Sequence, residues 1–223
     1  MIQTPIRQVL LTIQKHQVQA LLMGGQACVF YGAAQFSKDV DFLILADDAN
    51  FLELHAALDD LQAVRIAVPR FSPEVLQRGH AVHFRCQAAG VEGLRIDVMT
   101  CLRDLPPFEV LWARRTTITT DDGGDVHLLS VPDLVNAKKT QRDKDWPMIG
   151  ALVEGHFMAL GSAPTPERCL FWLAESRTAE RLTARFPAET SSLLAARPLL
   201  ALARVGNLPH PSRQEHLLHD DFL

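Results

Sequence analysis

The sequence lacks several features that would assign it to a class quickly. No apolar run reaches the ~20 residues that a membrane-spanning helix needs. The N-terminal stretch MIQTPIRQVLLTIQKHQVQALLMGG has no basic start, no continuous apolar segment and no small-residue cleavage site. It does not read as a secretory leader, and a cytoplasmic protein is expected. Cysteines number four, Cys28, Cys86, Cys101 and Cys169, and none forms a C-x-x-C pair. Their irregular spacing points to buried free thiols rather than a disulfide framework or a zinc ribbon. A zinc site on His210, His216 and His219 would have to draw its ligands from a Pro-rich tail. Positive charge is not in excess either: the formal net charge is -4. A basic nucleic-acid binder is therefore not indicated by composition, although a local basic patch stays open. There is no internal repeat and no low-complexity tract.

What is present is enough for a core. The chain has 223 residues, 48% of them hydrophobic, which suits one globular core with a smaller second lobe. Ile6, Val9, Leu10 and Ile13 have helical spacing over residues 6–15. Val18 to Met23 is a short apolar run ended by Gly24-Gly25, the pattern of a buried strand entering a tight turn. A short helix is predicted over 26–33, a central strand over 40–45 and a helix over 49–61. Paired strands are predicted over 81–86 and 93–100, and again around 115–119 and 126–129. The second pair is joined by the polar turn Asp121-Asp122-Gly123-Gly124. Ser130, Pro132 and Asp133 read as the capped start of a helix running to about Thr140. Beyond Asp143 the pattern is helical, with segments at 145–160, 166–176, 178–185 and 189–205 broken by Gly161, Pro164, Pro187 and Pro198.

Three acids stand out against this background. Asp39-Val40-Asp41 puts two carboxylates at i and i+2 at the start of an apolar strand. Strand side chains alternate, so both point to one face, about 6 to 7 Å apart along the backbone. Asp97 lies inside another apolar run, Leu94 to Met99, where an unpaired charge would be very costly. Three converging acids repel: at ~4 Å a pair costs about 1 kcal/mol in water and about 4 kcal/mol at an effective dielectric of 20. A divalent cation turns that repulsion into binding, and Mg2+ (with Mn2+ as a substitute) takes hard oxygen ligands while keeping positions for water and phosphate. Gly24-Gly25 follows a strand and opens a helix, so its backbone can come close to a phosphate. The order is informative: Gly-Gly, thirteen residues, then Asp-x-Asp on the next strand.

In the residues Met23-Gly24-Gly25, Lys38-Asp39-Val40-Asp41-Phe42 and Ile96-Asp97-Val98 the chain resembles the nucleotidyltransferase superfamily, with its polymerase-beta-like fold. The matched region covers about residues 18 to 100. The resemblance implies an α+β fold: a mixed β-sheet flanked by helices over 1–130, then a helical C-terminal region over 131–223. It also implies a metal-dependent transferase that moves a nucleoside monophosphate from a nucleoside triphosphate such as ATP to an acceptor hydroxyl. Two Mg2+ ions are expected, and Asp39 and Asp41 would hold both of them or the one on the triphosphate. Asp97 would complete the second metal site and help deprotonate the acceptor. Ser37 fits the family's hydroxyl two residues before the first acid, while Lys38 would turn away or contact phosphate. The run Leu134 to Trp146 resembles the helix after the core in small bacterial members of the abortive-infection toxin type. There Lys138 or Lys139 would face the triphosphate, with Arg142 and Lys144 as further candidates. The same likeness suggests RNA or protein as acceptor, a toxin–antitoxin or defence setting, and a cognate antitoxin or other partner protein, away from membranes.

Other readings stay open on the residues alone. Asp97 could be a strand acid paired with Arg95 or Arg65. The basic residues from 138 to 144 could form an exposed helix face. The chain could be a non-catalytic nucleotide-binding or protein-interaction module that keeps the fold, or a metal-dependent phosphatase or nuclease.

Overall fold

The computed structural model describes residues 4–120, 124–139, 143–176 and 179–204. The Asp121–Gly123 part of the predicted turn, Arg142 and the three tail histidines lie outside them. The chain divides into two compact units, Met1–Met148 and Ile149–Leu223.

The first unit is built on a mixed sheet of seven strands: β1 (Ala20–Met23), β2 (Asp39–Ile44), β3 (Val64–Arg65), β4 (Val82–Arg85), β5 (Arg95–Met99), β6 (Thr116–Thr119) and β7 (Asp125–Leu128). Their spatial order is β3-β4-β5-β2-β1-β7-β6. The central pair, β2 and β5, is parallel, and β1 runs antiparallel to β2 and parallel to β7. The predicted hairpins β4–β5 and β6–β7 are antiparallel neighbours. The central strands read as near-continuous apolar runs because both faces are covered: Leu21, Leu22, Val40, Leu43, Ile44, Ile96 and Val98 are fully buried.

Helix α1 (Thr4–Lys15) buries Ile6, Val9, Leu10 and Ile13, the four positions whose spacing predicts the helix. Helix α2 (Gly24–Phe30) begins directly at the end of β1, two residues before the expected start. Helix α3 (Asp48–Asp60) is capped by Asp47, whose side chain accepts from the Asn50 N–H. Asn50 is itself buried and ties three strand-end groups together. Its Oδ1 accepts from the Gln19 N–H at 2.7 Å, and its Nδ2 donates to the carbonyls of Gln19 and Leu45 at 3.1 and 2.9 Å. That clamp fixes the entry of β1 against the exit of β2. Two short helices, α4 (Pro73–Gln77) and α5 (Phe108–Ala113), are additions to the predicted elements. Helix α6 (Val131–Lys138) has Ser130 as its cap, as its sequence predicts.

Helix α7 (Trp146–Leu160) leads into the second unit, which contains α8 (Pro166–Glu175), α9 (Ala179–Arg185), α10 (Pro187–Leu193) and α11 (Leu199–Arg204). The predicted helix over 189–205 is two helices, because Pro198 cannot sit in a helix interior. Trp172 is fully buried there, and its indole N–H donates to His156 Nδ1 at 2.8 Å. Among the described residues no helix is long and apolar enough to cross a membrane.

Candidate functional site

The site is set by strand register. β2 and β5 pair so that Asp41 lies opposite Asp97 and Asp39 opposite Arg95. Partners in a ladder project to the same face, and so do residues two apart on one strand. Asp39, Asp41, Asp97 and Arg95 therefore share one face of the central sheet. Neighbouring strands are about 4.8 Å apart, so the Asp41 and Asp97 carboxylates are close neighbours. The antiparallel partner of Asp97 on β4 is His83, which joins the same face.

The glycine turn closes the other side. Met23 is the register partner of Asp41, so the chain leaves β1 beside that carboxylate. Gly24 then takes φ +66, a conformation that L side chains rarely adopt. A Cβ at Gly24 would lie 2.0 Å from Asp41 Oδ2, and one at Gly25 would lie 2.6 Å from Ser37 Oγ. Gly24 is thus required by its φ and by close approach, whereas at Gly25 the contact is with a hydroxyl that can turn aside. The Ser37 hydroxyl donates to the Asp39 carbonyl at 3.1 Å, holding the approach to β2 against the turn. Tyr31, just beyond α2, donates to the Leu129 carbonyl at 2.7 Å and fixes α2 to the start of α6.

Electrostatics distinguishes the three acids. Burial pushes the Asp41 carboxyl up to about 6, and the charges of Asp97 and then Asp39 push the same way, while Lys138 and Arg95 oppose them. Among the described residues no side chain donates a hydrogen bond to Asp41. Asp97 is different: both of its oxygens are engaged. Arg95 Nε donates to Oδ1 at 2.7 Å and Arg95 Nη2 to Oδ2 at 2.8 Å. His83 Nδ1 lies 2.8 Å from the same Oδ1 and 3.0 Å from Arg95 Nη2. The Arg95 guanidinium is held above its ordinary pKa, first by its hydrogen bonds to Asp97.

Of the two candidate lysines, Lys138 is the one turned inward. It is 6% exposed, pairs with the buried Asp145 at 3.4 Å, and acts on both Asp41 and the Cys28 thiol. Lys139 caps the helix end and is half-buried. Lys38 is exposed. Arg142 and the Lys144 side chain lie outside the described residues. Cys28, fully buried beside this cluster, has its thiol pushed up to about 11 by burial, so it stays protonated and is no nucleophile at neutral pH.

A divalent metal can be weighed against these residues. Asp39 and Asp41 fit a hard cation: two half-buried carboxylates on one face, with Asp41 repelled by its neighbours and without a side-chain donor among the described residues. Asp97 does not fit as a free ligand, since a guanidinium already occupies both oxygens. Accordingly, the described residues contain no group of three or more His, Cys, Asp or Glu side chains placed to hold a metal ion.

No protein-family model matches the chain, and no curated protein is significantly similar to it.

One partner escapes sequence reading. The Asp97–Arg95 pair is one of the two pairings open in the sequence, and the side-chain geometry adds the fork on both oxygens. His83 carries no local signal at all; only the β4–β5 register brings it to Asp97.

Proposed function

We propose that the chain is a metal-dependent nucleotidyltransferase that moves a nucleoside monophosphate from a nucleoside triphosphate to an acceptor hydroxyl. One observation supports this above the rest: Asp39, Asp41 and Asp97 share one sheet face beside a glycine turn that touches Asp41. Asp39 and Asp41 would hold Mg2+. When bound, that ion gathers triphosphate oxygens and offsets their charge. The glycine turn puts backbone without side-chain bulk next to the acids, and Lys138, paired with Asp145, stands on α6 where its charge acts on Asp41. The acceptor oxygen bonds to the α-phosphorus, the bond to the bridging oxygen breaks, and pyrophosphate leaves. The hydroxyl proton goes to a carboxylate of the trio. Most of the catalysis is then positioning and charge compensation.

A second reading is a nucleotide-binding module without transfer. It has one observation in its favour: Asp97 is already committed to Arg95.

The test is transfer of label from α-labelled nucleoside triphosphates with Mg2+, offered RNA, protein and small hydroxylated acceptors. Asp39→Ala and Asp41→Ala should each lower transfer at least about a hundredfold, with circular dichroism unchanged. Full activity in both variants would remove the acids from the mechanism. Nucleotide binding by wild type without transfer to any acceptor would favour the module, and release of phosphate in place of pyrophosphate a hydrolase.

A further inference from the structure

We propose that Arg95 is the built-in counter-cation of Asp97 and stands in for a second divalent ion, so that the site holds one metal ion per chain. The inference rests on the nucleotidyltransferase reading above and refines its metal content.

The geometry is the first support. Arg95 grips Asp97 with two parallel N–H donors, at 2.7 and 2.8 Å on separate oxygens. This bidentate arrangement is the strongest that a carboxylate makes with a side chain, and its planarity leaves little room for an ion between the partners. His83 adds a third contact to Oδ1 at 2.8 Å, so the two groups around Asp97 come from two strands. The Asp97 side chain is 11% exposed, against 37% for Arg95. Access to the carboxylate therefore runs past the guanidinium.

Register supplies the second support. Arg95 is the ladder partner of Asp39 and precedes Asp97 by two residues on the same strand. It is flanked by two of the acids on the one face that all of them share. Arg95 cannot shed its proton to make way for a metal, because a guanidinium stays charged at any pH a protein survives.

The cost of a second ion is the third. To reach Asp97 it would have to break two charge-assisted hydrogen bonds, and it would then lie against a guanidinium that stays charged.

The experiment counts ions on the full chain by electron paramagnetic resonance, using Mn2+ and a non-hydrolysable nucleoside triphosphate analogue. Wild type should bind one Mn2+ per chain–analogue complex, with the spectrum of an isolated ion. Arg95→Gln, which frees Asp97, should bind two, with the exchange-coupled spectrum of ions ~4 Å apart. Arg95→Lys, which keeps the charge, should return the count to one. Asp97→Asn should leave the wild-type count at one, and it decides the matter if Arg95→Gln does not fold. Two coupled ions in wild type, loss of the ion in Asp97→Asn, or one ion in both wild type and a folded Arg95→Gln would each overturn the proposal while leaving the transferase reading standing. No bound Mn2+ in wild type under these conditions would overturn both together.

Discussion

At the scale of single residues, Asp41 is held in a state the fold itself disfavours. Its carboxyl is pushed up to about 6 from an ordinary 3.8, mainly by burial and then by Asp97 and Asp39. An unfolded chain gives up this proton near 3.8, while the folded chain keeps it to about 6. Between those values stability falls as pH rises, and the penalty is complete above them. A shift of this size corresponds to about 3 kcal/mol. Asp41→Asn in metal-free buffer should therefore be more stable than wild type by up to about 3 kcal/mol at neutral pH, and the gain should vanish near pH 4. Urea unfolding at the two pH values reads both. An equal gain at both would assign the effect to something other than charge. Stability set aside for a charged site is the usual exchange between activity and folding. Gly24 shows the same economy in the backbone. Gly24→Ala combines a positive φ with a Cβ 2.0 Å from Asp41 Oδ2, so something must shift. A cost of about 1–3 kcal/mol and loss of metal-dependent transfer are expected. Unchanged stability would mean that the turn relaxes freely.

At the scale of elements, α6 matters because it carries Lys138. Its start is over-determined: the Ser130 hydroxyl donates to Asp133 Oδ2 at 2.6 Å and accepts from the Asp133 N–H at 3.4 Å. Arg114 at the end of α5 forks onto the same buried carboxylate, with Nε to Oδ2 at 2.8 Å and Nη2 on Oδ1. Ser130→Ala should cost about 1 kcal/mol and speed amide exchange over residues 131–139, measured by mass spectrometry. Exchange at the wild-type rate would show that the Arg114 contact alone suffices. This cap was readable from Ser130-Val131-Pro132-Asp133, as were the strands around Asp39-Val40-Asp41 and Asp97, because their signals are local. The choice between Lys138 and Lys139 was not. One residue is 100° of helix, and the end of α6 falls between them. Five- and six-residue helices such as α4 and α5 are too short for an apolar period to show. The hairpin β4–β5 was legible but its register was not, so His83 could not be placed opposite Asp97 from spacing, while Arg95 was legible only as one of two possible partners of Asp97.

At the scale of the whole molecule, the two units carry half-buried titrating groups of opposite sense. In the first, Asp41 has its carboxyl raised. In the second, His156 has its imidazole lowered below 6.5, by burial first and by the Arg168 charge second. The Trp172 indole donates to its Nδ1, so the neutral ring is the form that the packing accepts. A histidine held neutral contributes stability above its ordinary value, and that contribution is lost as pH falls from 6.5 toward the lower folded value. His156→Asn offers an oxygen near the Nδ1 position and does not titrate. Its stability relative to wild type should rise on acidification below pH 6.5, read from the fluorescence of Trp172 in a chain with Trp112 and Trp146 replaced by phenylalanine. The Asp41→Asn advantage in the first unit should shrink over the same acid range. Two differences moving the same way would mean that burial does not set the charge state of both groups. Movement in opposite directions would make pH a means of loosening one unit while tightening the other, within a single chain.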